Sequence, residues 1–211
     1  MPSYPNPIKS KLPKAGTTIF TVMSALANEQ KAINLSQGFP NFEASEELIS
    51  LVNQYMKKGF NQYAPMQGIL PLRERIAEKA EALYGAKYNP DTEITITSGG
   101  TQAIYTAITA MIREGDEVVV LEPAYDSYVP ASELAGGGPV YVALKFPDYT
   151  IDWNAVKKVI TQRTKMILIN TPHNAAGTVW TQKDMKELEK ITSHSEITVV
   201  SAEVYEHILF D

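Results

Sequence analysis

The sequence has 211 residues, of which 44% are apolar and 20% charged, with a net charge of −5 and no cysteine. That length fits one domain or a large part of two. The lack of cysteine excludes disulfides, thiolate metal ligands and cysteine nucleophiles. The acidic balance carries no basic stripe of the kind nucleic acid requires, and His173, His194 and His207 are too scattered to predict a metal cluster. No apolar run approaches the ~20 residues of a membrane span. The opening "MPSYPNPIKSKLPKAGTT" has no apolar core of a secretory signal. A cytoplasmic protein with no membrane partner is therefore expected.

In chain order, the first eighteen residues are punctuated by proline and read as an arm. "IFTVMSALANEQ" has a helical pattern, and "INLSQGFPNF" reads as a short strand entering a turn at Gly38. "SEELISLVNQYMKKG" predicts a helix with Ser45 as N-cap and Gly59 as stop. In "LPLRERIAEKAEALYG" the residues Leu72, Ile76, Ala80 and Leu83 follow the helical period, and Gly85 ends it. From residue 93 strands alternate with helices. The predicted strands are Glu93–Thr97, Glu117–Leu121, Val140–Leu144, Met166–Ile169 and Ile197–Ser201. A helix with Ile104, Ile108, Met111 and Ile112 on one face is expected to end at Gly115. Thr181 and Asp184 form a capping-box pattern in "TQKDMKELEKI". Short β-branched runs alternating with helices imply an α/β fold, three-layer α/β/α around a mostly parallel sheet.

In such sheets ligands bind beyond the carboxyl ends of the strands. Four clusters lie there. "TSGGTQAI" is a glycine pair opening a helix, suited to a phosphate or to a plain tight connection. "LEPAYDSYVP" offers Tyr125 and Tyr128 either as a flat aromatic face or as residues bridging core and solvent. "NTPHNAAGTVW" carries Asn174 in a turn, where its amide reaches the crevice or satisfies its own backbone. "AEVYEHI" carries Tyr205.

Taken together with "LPKAGTTIFTVMSALANEQKAINLSQGFPNF", "NQYAPMQGILPLRERIAEK", "AYDSY", "NTPHN" followed by "GTVW", and "EVYEHI", the clusters resemble fold-type-I pyridoxal-phosphate enzymes. The likeness is to class I/II aminotransferases, in the branch of methionine and kynurenine aminotransferases. It implies an arm and the start of a small-domain or linker region over 1–40, and a partial cofactor-binding large domain over 41–211. It implies that Gly99, Gly100, Thr101 and Gln102 hold the phosphate of pyridoxal 5'-phosphate, that Tyr125 stacks on the pyridine, and that Asn174 and Tyr205 hydrogen-bond the phenolic oxygen. Tyr63 corresponds to a tyrosine reaching the cofactor of a partner subunit, so a homodimer is expected. Gly38 corresponds to backbone lining the substrate side. The implied reaction moves an amino group from an amino acid to a 2-oxo acid.

Three departures bear on activity. Ala202 stands where the family pattern has an aspartate facing the pyridine nitrogen. Loss of such a buried charge partner typically costs about 3–5 kcal/mol, or roughly a hundredfold to several-thousandfold if felt wholly in the transition state. Ala175 stands where the family has proline, which frees a backbone N–H at a cost of ~0.4–1 kcal/mol through the unfolded state. The resemblance also puts the Schiff-base lysine and two anion-binding arginines C-terminal to residue 211. No catalytic residue is therefore assigned, defective activity is expected, and an exposed strand edge and apolar helix faces are anticipated. The alternative expectation is a non-catalytic phosphate-binding or dimerisation module.

Overall fold

The computed structural model describes residues 9–13, 15–38 and 42–209. The expected proline-rich arm falls largely outside them, as do residues 39–41 of the "GFPNF" turn. The chain divides into two compact units, Thr17–Thr97 and a second that joins Met1–Gly16 with Ser98–Asp211.

The first unit contains α1 (Ile19–Glu29), α2 (Glu46–Lys57) and α3 (Leu70–Tyr84). Thr18 caps α1 by accepting from the Thr21 N–H. Ser45 is the N-cap of α2, and Gly85 ends α3 in the left-handed conformation that glycine adopts without strain. Two expected strands do not form. Residues 32–35 have no ladder partner, and Ile33 and Leu35 are 85% and 90% exposed. The Asn34 side chain instead takes the Ser36 N–H at 3.0 Å, a local bond that competes with strand pairing. "EITIT" at 93–97 alternates as a strand should, but it joins no ladder among the described residues, and the Ile96 N–H bonds Gln67 O at 2.9 Å. Alternation encodes a two-sided environment, not a partner.

The second unit contains α4 (Gly100–Met111), β1 (Glu117–Glu122), α5 (Tyr128–Leu134), β2 (Gly138–Ala143), α6 (Trp153–Val159), β3 (Thr164–Asn170), α7 (Gln182–Thr192) and β4 (Thr198–Ala202). The four strands are all parallel, in the order β2-β1-β3-β4. The two central strands read "EVVVLE" and "TKMILIN", apolar runs buried on both faces. Their alternation sorts the side chains into two layers. Val118, Val120, Met166 and Leu168 pack against Ile104 and Ile108 of α4 and Tyr128 of α5. Val119, Leu121, Ile167 and Ile169 pack against Val156 of α6 and Leu188 of α7. This is the expected three-layer α/β/α arrangement. A fully buried Val or Ile stabilises the fold by about 1.5–3 kcal/mol, so a charge at Val119 would unfold the unit.

Thr181 and Asp184 form the predicted capping box on α7. The end of α4 differs from expectation. Ile112, not Gly115, is the C-cap, because its side chain turns into the core and its backbone becomes extended. Gly115 serves the next turn at φ +87°, its N–H bonding Gly136 O. No helix among the described residues is long and apolar enough to cross a membrane.

Candidate functional site

The strand order fixes where a ligand would sit. From β1 the chain moves outward to β2, then returns to the other side of β1 as β3. The crevice between the carboxyl ends of β1 and β3 is the topological switch point of the sheet. Into it run Pro123–Tyr125 after β1 and Thr171–Asn174 after β3, with Ala202–Tyr205 after β4 alongside.

The glycine turn supplies one wall. Gly99 is the N-cap of α4 at φ 87°, ψ 164°, a region open essentially to glycine alone. No side chain caps the helix, so its first N–H groups and the positive end of its dipole face outward. Gln102 Oε1 accepts from the Ser98 N–H at 2.5 Å and stiffens the approach. Thr101 Oγ1 lies 3.2 Å from the Tyr125 hydroxyl, which ties this turn to the loop after β1. The Tyr125 ring meets Tyr128 edge-on at 5.8 Å. Tyr128 is fully buried, and its hydroxyl has no hydrogen-bond partner among the described residues. Burial, and then the neighbouring Tyr125, push its phenol up to about 12. Of the two readings of the tyrosine pair, Tyr128 is core and Tyr125 is the half-buried ring at the crevice.

The opposite wall is the turn after β3. Asn174 Nδ2 donates to the Tyr205 hydroxyl at 3.3 Å. Both line a cavity of about 300 Å³ with His173, Val179 and Ile208. Ala202, the last residue of β4, pairs with Asn170 in register and packs against the same core cluster as Tyr125. Its neighbour Glu203 is exposed and engaged by Ser201 Oγ at 2.7 Å, so it does not replace a carboxylate at position 202. Val204 Cγ2 stands 4.0 Å from the place a Gly100 side chain would begin. The structure thus brings Gly99, Gly100, Thr101, Gln102, Tyr125, Asn174, Ala202 and Tyr205 into one unit at one end of the sheet. Gly38 and Tyr63 belong to the Thr17–Thr97 unit, where Tyr63 is fully exposed.

Two residues escaped the sequence reading. Asn170 is buried at the end of β3. With its amide nitrogen turned toward the carbonyls, it donates to Pro172 O at 3.1 Å and Ala202 O at 3.2 Å and accepts from the Asn174 N–H at 3.2 Å. A polar residue closing the apolar run "KMILI" was the available signal. His173 is the other: it is 5% exposed, and its Nδ1 accepts from the N–H groups of Ala175 and Ala176 at 3.1 and 3.0 Å. Burial lowers its pKa against the opposing effect of a hydrogen bond to the Pro123 carbonyl. Asn174 is therefore held through its own backbone and side chain despite the alanine that follows it.

A parallel three-layer sheet with a glycine-led helix start, a crevice tyrosine and an Asn–Tyr pair at its switch point is an arrangement suited to a phosphate-bearing ligand. Residues 30–211 match the family model for aminotransferase class I and II, and the chain belongs to that family. It is 49% identical over 207 residues to a methionine aminotransferase of Escherichia coli, covering 97% of this chain and 54% of that protein. It is 38% identical over 205 residues to a probable N-succinyldiaminopimelate aminotransferase of Mycobacterium tuberculosis, covering 96% and 51%. The solved E. coli structure, reported to have a methionine aminotransferase function, superposes with a TM-score of 0.93 over 97% of this chain and 53% of its own. The M. tuberculosis enzyme structure gives 0.91 at 36% identity, over 97% and 54%. Both neighbours are aminotransferases, and this chain spans about half their length.

Proposed function

We propose that the segment from Ser98 onward is the cofactor-holding part of an aminotransferase site. On this reading it takes pyridoxal 5'-phosphate, and the protein's substrates are an amino acid and a 2-oxo acid. The observation that carries it is the pair of side-chain contacts across the switch point, Thr101–Tyr125 and Asn174–Tyr205, joined to a helix start without a side-chain cap. The residues fit the group on two of its edges. The N–H groups of the Gly99–Gln102 turn suit a phosphate, and Asn174 and Tyr205 offer hydrogen-bond donors to an oxygen anion. At a third edge Ala202 offers no charge. When bound, the cofactor supplies an electron sink for the substrate's α-carbon. The protein's part is to bind, orient and exclude water, and Ala202 leaves protonation of a ring nitrogen unsupported.

The lysines from Ser98 onward favour binding without turnover. Lys145 pairs with Asp152, Lys157 and Lys190 with Glu187, and Lys165 with Glu196 at the opening of β3. Lys158, Lys183 and Lys186 lie on α6 and α7, and no lysine is among the residues lining the Asn174–Tyr205 cavity. On this reading the residues from Ser98 onward bind the cofactor without themselves supplying a lysine for transamination. Similarity to the methionine enzyme favours a neutral, thioether or aromatic amino donor for the whole protein, and Tyr63 favours a homodimer. The test combines a transamination assay using methionine and phenylalanine with intact-mass analysis after borohydride treatment in the presence of pyridoxal phosphate. Expected are no turnover and no single-site lysine adduct; turnover at ordinary enzymatic rates of ~1–10³ s⁻¹ would overturn the reading.

A further inference from the structure

The imidazole of His173 is buried in the turn after β3 and engaged there by backbone. Its Nδ1 accepts from the N–H groups two and three residues ahead, at 3.1 Å from Ala175 and 3.0 Å from Ala176. An Asn or Asp side chain closes a turn in the same way. A nitrogen accepting two N–H bonds carries no proton, so the ring is neutral with its hydrogen on Nε2. The backbone of His173 closes the same turn: its N–H donates to Thr178 O at 2.8 Å, and its carbonyl accepts from the Gly177 N–H at 3.0 Å. One donor exists because residue 175 is alanine, since a proline there would have no N–H.

We propose that His173 is a positioning residue that clasps the Asn174 turn from within and so fixes where Asn174 stands at the crevice. The proposal rests on the role given above to Asn174. Its geometric part stands apart from that role, because the clasp exists without any bound group. The ring acts through backbone, its Nδ1 held by the N–H groups of Ala175 and Ala176.

Three variants test the clasp. His173→Asn keeps an acceptor at the position of Nδ1. His173→Gln loses the turn acceptor. His173→Phe loses it and keeps the ring volume, and thermal melting of each variant confirms that it remains folded. In the wild-type chain without added cofactor, imidazole 15N NMR is expected to show the proton on Nε2. Amide exchange at Ala175 and Ala176 is expected to accelerate about five- to tenfold in His173→Gln and His173→Phe and to stay near wild type in His173→Asn. Side-chain amide resonances of Asn174 are expected to shift in His173→Gln and His173→Phe more than in His173→Asn. A proton on Nδ1, unchanged exchange in His173→Phe, or Asn174 resonances indifferent to all three variants would overturn the proposal. Pyridoxal phosphate titration then tells the two readings apart. Weaker uptake in His173→Phe, partly restored in His173→Asn, supports positioning, and equal uptake by all forms refutes it. No uptake even by wild type refutes the cofactor reading while the NMR results still decide the clasp.

Discussion

Tyr128 provides a quantitative test of how the crevice is supported. The residue is 3% exposed and its hydroxyl has no partner among the described residues. A buried unsatisfied polar group costs about 1–3 kcal/mol, so Tyr128→Phe, which keeps the edge contact with Tyr125, is expected to stabilise the protein by roughly 1 kcal/mol at neutral pH. For a chain of this size that is about 2–4 °C in Tm. The effect has a pH signature. The folded-state phenol titrates at about 12 against an ordinary value of 10.0, so the folded protein holds this proton more tightly than the unfolded chain. The associated stability is fully present below pH ~10 and drains away as pH rises toward 12. By pH ~11 the wild type has lost about 1.4 kcal/mol from this group, and Tyr128→Phe has lost none of it. Urea unfolding at pH ~7, ~9 and ~11 measures both effects, the advantage of the Phe form growing only over the upper interval. A Phe variant less stable than wild type at neutral pH, or an advantage that stays flat or shrinks toward pH ~11, would refute the unpartnered hydroxyl.

Gly99→Ala places a side chain at φ 87°, ψ 164° with nothing within 4 Å to collide with, so its cost is backbone strain alone, about 1–3 kcal/mol. Calorimetric pyridoxal phosphate binding is expected to weaken about tenfold or more as the turn relaxes, and wild-type affinity would remove the turn from the site. Ala202→Asp puts a carboxyl group on a half-buried strand end. It is expected to destabilise the cofactor-free protein by about 1–3 kcal/mol in chemical unfolding and to tighten cofactor binding, whereas looser binding would contradict the account of position 202. Asn174→Ala removes the Tyr205 contact and is expected to cost about 0.5–1.5 kcal/mol in cofactor affinity, read by the same calorimetry.

The sequence carried the sheet unevenly, for physical reasons. β1 and β3 were legible because "VVVL" and "MILI" need burial on both faces, which only central parallel strands provide. "EITIT" and "INLS" have the same local chemistry, and nothing local says that they form no strand ladder among the described residues. The two short helices were harder to see. In α5, Pro130 falls inside the element and reads as a breaker, yet it sits in the first turn, where a missing N–H costs nothing. α6 is started by Asp152, whose carboxylate accepts from Asn154 and Ala155, a cap that shows little periodicity over seven residues. The site clusters were legible because strand-end loops in a parallel sheet converge on one edge. Asn170 and His173 were not, because their partners are backbone groups in neighbouring loops, and such partners leave no pattern in the chain itself.

The central claim is that these loops hold pyridoxal phosphate through the Gly99–Gln102 turn, Tyr125 and the Asn174–Tyr205 pair. Circular dichroism in the pyridoxal absorption band, followed through a titration of the 211-residue chain, tests it most directly. A bound chromophore held in one orientation should give a saturable signal at one equivalent per chain that is lost in Tyr125→Leu. No induced signal, or the same signal in wild type and Tyr125→Leu, would contradict the assignment.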